Sequence, residues 1–312
     1  DVAGAARGMS RGMAIVARGG SGGEGSGSVV LENTASTAGG GGSIYGNPKV
    51  YELAFGYRDF PGEVSFLQKL AEKHGTGHMR SLLELGAGPA WHSTAAAAAA
   101  ARTYAVAVDN SAPMLQRARE RVTEMGLTDV VAVVQGDITA LDTAALRTAA
   151  ATLHTAGERG SVDEGFDVAC LLLGTAAHLL ETDDAISCLQ GAAAALAPGG
   201  IMVLELEHPF DLFEGTLLDA HGDAWESEVD GVKVLVEWGR AGDPFDVTTH
   251  IVTRTVGFNV VDPTSGEPVE GWQAIEEQVR CRVFTAPEID LLARLAGLRV
   301  VAGYGDMNFD TP

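Results

Sequence analysis

Leu82-Leu83-Glu84-Leu85-Gly86-Ala87-Gly88-Pro89-Ala90 is the stretch that decides the fold. Its first half is a short apolar run, which reads as a buried strand over 81–85. Its second half breaks that run with two glycines, and residues 91–102 then read as a helix. Glycine at 86 and 88 removes the Cβ atoms, so a ligand can approach the backbone closely. The helix start that follows has N–H groups without intrahelical partners. An ordinary strand-to-helix turn would use the same residues, so Gly-x-Gly alone is a weak signal. Two details sharpen it. Trp91 stands where the dinucleotide fingerprint places its third glycine. Glu84, at the strand end, would repel a pyrophosphate and suits a cationic ligand.

Downstream of this turn, strands and helices alternate. Strands are predicted over 104–108, 130–134, 166–173 and 201–206, with helices over 112–125, 140–153 and 183–196 between them. Five strands joined by helices imply right-handed crossovers and a mostly parallel sheet. Successive strand ends of such a sheet line one crevice. Asp109 ends the second strand, 21 residues after Gly88, where a carboxylate can accept both hydroxyls of a ribose. Helix N-capping by Asp109, Asn110 or Ser111 is the alternative use. Asp137, in Gln135-Gly136-Asp137-Ile138, follows the third strand, where it can accept from an adenine amino group or serve as a turn residue. Together, Glu84, Asp109 and Asp137 converge on a ligand with a ribose and an adenine.

This set resembles the class I S-adenosylmethionine-dependent methyltransferases. The glycine stretch resembles their first motif, Asp109 their ribose acid, and Gly136-Asp137-Ile138 their adenine-contacting segment. Residues 166–174 with His178-Leu179-Leu180 are similar to the fourth-strand motif. Leu196-Ala197-Pro198-Gly199-Gly200 is similar to the turn before the fifth strand. The resemblance spans roughly 45–305. It implies an α/β, Rossmann-like, doubly wound, mostly parallel sheet that binds S-adenosyl-L-methionine through Glu84, Gly86, Ala87, Gly88, Asp109, Asn110, Met114, Asp137, Ile138 and Leu173. Tyr51, Phe55 and Arg58 resemble the N-terminal lid of small-molecule members. Arg58 is placed to pair with the cofactor carboxylate, or to sit exposed on an amphipathic helix. The family's sheet has seven strands, the last antiparallel. Strand six is visible at 298–302, but 308–312 is too short and polar for strand seven. Either the chain is truncated or the sheet is completed differently.

The flanking composition sets the remaining expectations. Residues 1–43 are rich in Gly, Ser and Ala and read as a disordered tail. Arg7, Arg11 and Arg18 occur with no acid from 2 to 23, as in the remnant of a chloroplast or mitochondrial transit peptide. Without such a peptide the expectation is cytoplasmic. Two helices precede the core, broken near Pro61-Gly62. The core with its lid spans 44–210 and 285–312. An antiparallel β insertion over 211–284 follows the fifth strand, with Trp225, Trp238, His250 and Trp272 as candidate substrate-lid or core residues. The formal charge of −21 and the lack of a dense basic cluster speak against nucleic acid. No apolar run reaches the length of a membrane span. Cys170, Cys188 and Cys281 form neither a metal spacing nor a disulfide framework, which suits a reducing compartment.

Methyl transfer is an in-line displacement, so the protein mainly aligns the partners and excludes water. A base is needed only for an acceptor that is protonated at working pH. The candidates are His178 after the fourth strand, and Glu207 with His208 after the fifth; packed or capping histidines are the alternative. The Asn/Asp-Pro-Pro-Tyr and Pro-Cys signatures of base and amide methylases are absent, which favours a small-molecule O-, N- or C-acceptor. Three rivals remain in view. An NAD(P) oxidoreductase shares the glycine turn but gives Glu84 and Asp137 no role. An aminopropyl transferase would use decarboxylated cofactor and not need Arg58. A catalytically silent cofactor-binding relative would keep the same motifs.

Overall fold

The computed structural model describes residues 12–19, 43–100, 102–153, 165–207 and 223–309. Its central sheet is built on the predicted alternation. β2 (Ser81–Leu85), β3 (Tyr104–Asp109), β4 (Val131–Gln135), β5 (Phe166–Leu171) and β6 (Leu196–Glu207) are all parallel. The strand order is β12-β1-β6-β5-β2-β3-β4, with β12 at Leu298–Tyr304. The middle strands are buried on both faces, which is why they read as apolar runs and not as alternation.

β1 (Gly12–Gly19) corrects one expectation and shows how the sheet is completed. Part of the tail assigned to disorder is a strand, and that strand fills the antiparallel slot the C-terminus could not supply. It pairs antiparallel with β6 on one side and β12 on the other. Ala14, Ile15, Val16 and Ala17 are buried, so four consecutive small or β-branched apolar residues suffice for a central strand. Their short run is hidden in sequence by the Gly- and Arg-rich residues around it. The rest of the transit-peptide expectation, over 1–11 and 20–42, lies outside the described residues.

Helices cover both faces. α2 (Phe60–His74), α3 (Trp91–Ala99) and α4 (Ala112–Glu124) bury Leu67, Leu70, Ala96 and Val122 on one side. α5 (Thr143–Ala151), α6 (Thr182–Ala195) and α7 (Ala286–Leu295) bury Leu146, Leu189, Ile289 and Leu292 on the other. Local chemistry sets their ends. Ser111 caps α4, and Thr285 forms a capping box with Glu288 on α7. Pro61-Gly62 does not break a helix. Pro61 lies in the first turn of α2, where its missing N–H is harmless, and Asp59 caps the helix through the Gly62 N–H.

The insertion forms a second, antiparallel sheet in the order β11-β10-β8-β7, with β9 beside β10. Its strands are β7 (Asp223–Val229), β8 (Val232–Trp238), β9 (Phe245–Asp246), β10 (Ile251–Val261) and β11 (Ile275–Arg282). Asp230-Gly231 turns β7 into β8. Val234, Val236, Val256 and Phe258 on this sheet pack against Ile44, Val50 and Ala54. The 3-10 turn Ile44–Gly46 and α1 (Pro48–Phe55) are therefore gripped between the insertion and the core. All three cysteines are buried and free.

Candidate active site and cofactor crevice

The C-terminal ends of β2, β3 and β4 open on one side, and the predicted acids stand there with distinct partners. Asp109 accepts the Gly88 N–H on Oδ2 (2.7 Å) and the Ser111 N–H on Oδ1 (2.8 Å). Burial pushes its carboxyl above the usual carboxylate range, with the N–H groups of Ser111, Gly88 and Asn110 working the other way. Asn110 is exposed at the strand end, while Met114 is buried in the first turns of α4. Asp137 is exposed and caps the 3-10 turn Ile138–Ala140, accepting from the Thr139 N–H and hydroxyl on Oδ1 at 2.8 Å each. Its Oδ2 remains as the acceptor toward an amino group. Ile138 is half-buried beside it.

The glycine turn behaves less uniformly than its sequence. Gly86 (φ +64°) and Gly88 (φ +51°) are both left-handed. At Gly88 a Cβ would meet only Tyr51 Cε1, at 3.9 Å, so the backbone there is open to a ligand beneath the lid. At Gly86 a Cβ would fall 2.3 Å from Thr175 Cγ2. Close packing of the turn at Thr175–His178 therefore demands Gly86, not ligand approach. Ala87 is buried, and its N–H is taken by the Val108 carbonyl (2.9 Å).

Glu84 is likewise redirected. Its carboxylate turns inward: Oε2 accepts from the Ser93 N–H (2.8 Å) and hydroxyl (2.5 Å), and Oε1 meets His92 Nδ1 at 2.9 Å. It thus caps an N–H of α3 that sequence reading left for the ligand. His92 is wholly buried and its Nε2 meets Glu63 Oε2 at 2.7 Å. Burial disfavours its charged form, but the bonds to Glu63 and Glu84 outweigh that and raise its pKa to about 9. Glu63 in turn accepts from Arg58 Nε (2.7 Å), and Arg58 grips Glu205 with Nη1 (2.8 Å) and Nη2 (3.1 Å). Glu205 Oε2 also accepts the Leu173 N–H at 2.8 Å, where Leu173 sits at φ +55°. Arg58 is not an exposed lid residue: its side chain is 17% exposed and bound to carboxylates on two sides. Sequence reading missed Glu63, His92 and Glu205. The available signal was polar residues at positions whose neighbours are core.

A cavity of about 170 Å³ adjoins this cluster, between lid, strand ends and insertion. Tyr45, Tyr51, Phe55 and Tyr57 of the lid region line it, with Trp225 and Trp238 of the insertion. Arg58, His178, Glu205, Glu207 and Asp223 supply much of its polar lining, and Leu173 lines it as well. His250 and Trp272 do not reach it. His178 Nε2 lies 2.8 Å from the Tyr45 hydroxyl, and the two rings meet edge-on at 5.4 Å. Desolvation lowers the imidazole pKa from its usual value and raises that of the Tyr45 phenol. Glu207 is engaged by Arg254 at 2.6 Å. His208 lies outside the described residues. Among those residues, no group of three His, Cys, Asp or Glu could hold a metal, and no helix is long and apolar enough to cross a membrane.

The donor set fits a cationic nucleoside. Asp109 keeps a lone pair on each oxygen for a ribose, Gly88 leaves room above the backbone, and Arg58 beside Glu205 suits a zwitterionic tail. Residues 82–200 match the family model described as a methyltransferase domain. Among solved structures, DesVI of Streptomyces venezuelae is 21% identical, with 80% of this chain and 89% of that one aligned at a TM-score of 0.59. The sugar N-methyltransferase KedS8 of a Streptoalloteichus species is 20% identical, covering 86% and 90%, at 0.56. CalS10 of Micromonospora echinaspora, an amino pentose methyltransferase with S-adenosylmethionine bound, is 19% identical, covering 79% and 87%, at 0.55. At these identities the likeness is one of fold. No curated protein matches the sequence. Domain model, sheet and crevice agree: residues 82–200 match a methyltransferase domain, and the chain has the Rossmann-like fold of the class I methyltransferases.

Proposed function

We propose that this chain methylates a small-molecule acceptor, and that the acceptor atom is an amine nitrogen. The observation that carries the reading is the cavity, where the rings of Tyr57, Trp225 and Trp238 stand with the carboxylates of Glu207 and Asp223. Aromatic faces and carboxylates together attract an ammonium group. The amines named for KedS8 and CalS10 point the same way. Its volume suits a small ring and not a polymer.

Bound S-adenosylmethionine would supply a methyl group on a sulfonium, a good leaving group. Gly88, Asp109, Asn110, Met114, Asp137 and Ile138 would hold its nucleoside, and Arg58 with Leu173 its amino-acid end. The chain's own groups then prepare the acceptor. An ammonium has no lone pair, so it must lose a proton before it attacks. Desolvation lowers the His178 pKa and favours its neutral form, so its Nε2 can take that proton as the Tyr45 hydroxyl turns aside. Tyr51 and Phe55 on α1 cover the site and exclude water.

Isothermal titration with S-adenosylhomocysteine tests the first half. Asp109→Ala is expected to weaken binding about tenfold or more, as loss of a charged ribose acceptor does. No binding to folded protein would sink the reading. Matched amine and hydroxyl acceptors of one ring skeleton test the second half. Methylation confined to the hydroxyl series would remove the amine assignment. A preference for decarboxylated cofactor would redirect the site to aminopropyl transfer.

A further inference from the structure

We propose that His92 is a positioning residue for the amino-acid tail of the cofactor, tying the acid of the glycine turn to the arginine that reads the tail. The inference rests on the cofactor reading above. His92 lies in the first turn of α3 and does not itself line the cavity, yet it bridges two elements that build the site. Its Nδ1 meets Glu84 of β2 at 2.9 Å and its Nε2 meets Glu63 of α2 at 2.7 Å. An imidazole between two carboxylates satisfies both only when both nitrogens carry protons. The Phe60 ring closes over it edge-on at 5.2 Å, so water cannot substitute for either bond.

What the bridge fixes is Arg58. Glu63 presents one oxygen to His92 and the other to Arg58 Nε, so the histidine sets the carboxylate that sets the guanidinium. Glu205 holds the far end of the same guanidinium, and the Leu173 N–H holds Glu205. Three of the five N–H bonds of Arg58 are engaged in this way. The result is a fixed cation beside a fixed anion on the cavity wall, the complement of a carboxylate beside an ammonium. Arg282, which also lines the cavity, is committed to the Leu180 carbonyl, Thr182 and Glu288. The adenosine acceptors Asp109 and Asp137 bond to other groups and stand outside the chain of contacts.

Two ligands separate tail from nucleoside: S-adenosylhomocysteine carries the amino-acid tail and 5′-methylthioadenosine lacks it. The readout is the ratio of their dissociation constants. His92→Gln and the near-isosteric Glu63→Gln are each expected to cut the preference for S-adenosylhomocysteine about tenfold, the size of one charge-assisted contact. Binding of 5′-methylthioadenosine is expected to stay within about twofold, which also reports that the variant is folded. An unchanged ratio in Glu63→Gln overturns the proposal. So does parallel weakening of both ligands, which marks a merely structural histidine. Failure of the unmutated chain to bind either ligand would instead strike the cofactor reading itself.

Discussion

Gly86 and Gly88 are two residues apart in one turn, yet each is glycine for its own reason. Gly86→Ala would drive a methyl group into Thr175 at 2.3 Å in a left-handed backbone. The expected cost is about 2–4 kcal/mol, combining overpacking with the left-handed penalty. Gly88→Ala meets no atom nearer than 3.9 Å and should cost only about 1 kcal/mol, from the backbone alone. Urea unfolding of the two variants checks the order. Equal destabilisation would mean that the Thr175 contact gives way. Sequence alone could not separate these cases, because the atom that excludes a Cβ at 86 comes from a turn nearly ninety positions away. Asp109 and Asp137 were legible because strand ends of a parallel sheet converge whatever the side chains between them. Glu84 was legible as an acid at the strand end, but its inward turn onto His92 and Ser93 was not. Nothing in Trp91-His92-Ser93 marks that histidine as the bridge between two carboxylates.

At the scale of elements, periodicity recovered the alternating strands and helices to within a few residues, since each buries one continuous face or two. It failed where burial is thin. β7 alternates half-buried and exposed residues along Asp223-Ala224-Trp225-Glu226 and sits at a sheet edge, so little apolar signal marks it. Trp225 nevertheless joins that edge to the lid. Its Nε1–H donates to the Ala54 carbonyl at 2.9 Å, one of the last-turn carbonyls of α1, and its ring meets Phe55 at 5.6 Å. Trp225→Phe keeps most of the ring and deletes the donor. The expected loss is about 1 kcal/mol of stability. Phe55 and Trp225 line the same cavity, so on the proposed reading the KM for acceptor should rise several-fold while affinity for S-adenosylhomocysteine stays within about twofold. Steady-state kinetics and titration on the same preparation decide it. A change in cofactor affinity alone would place Trp225 on the wrong side of the lid.

The whole molecule depends on a strand that its composition conceals. β1 lies between β6 and β12, the only antiparallel member of the seven-stranded sheet among the described residues. Ile15 and Ala17 face one core cluster, Ala14 and Val16 the other, so a single strand seals both layers. Glu205 pairs with Ala14 and Glu207 with Gly12 in register, which ties β1 to the strand end that carries the cavity acids. Removing it would open two adjacent edges inside a sheet, each with a row of unpaired N–H and C=O groups. Deletion of residues 1–11 is expected to leave the melting temperature within a few degrees, since β1 is kept whole. Deletion of residues 1–19 is expected to give aggregated protein with no cooperative melt, followed by circular dichroism and size exclusion. A cooperative melt in the longer deletion would show that the sheet closes without β1, and the antiparallel slot would then belong to another segment.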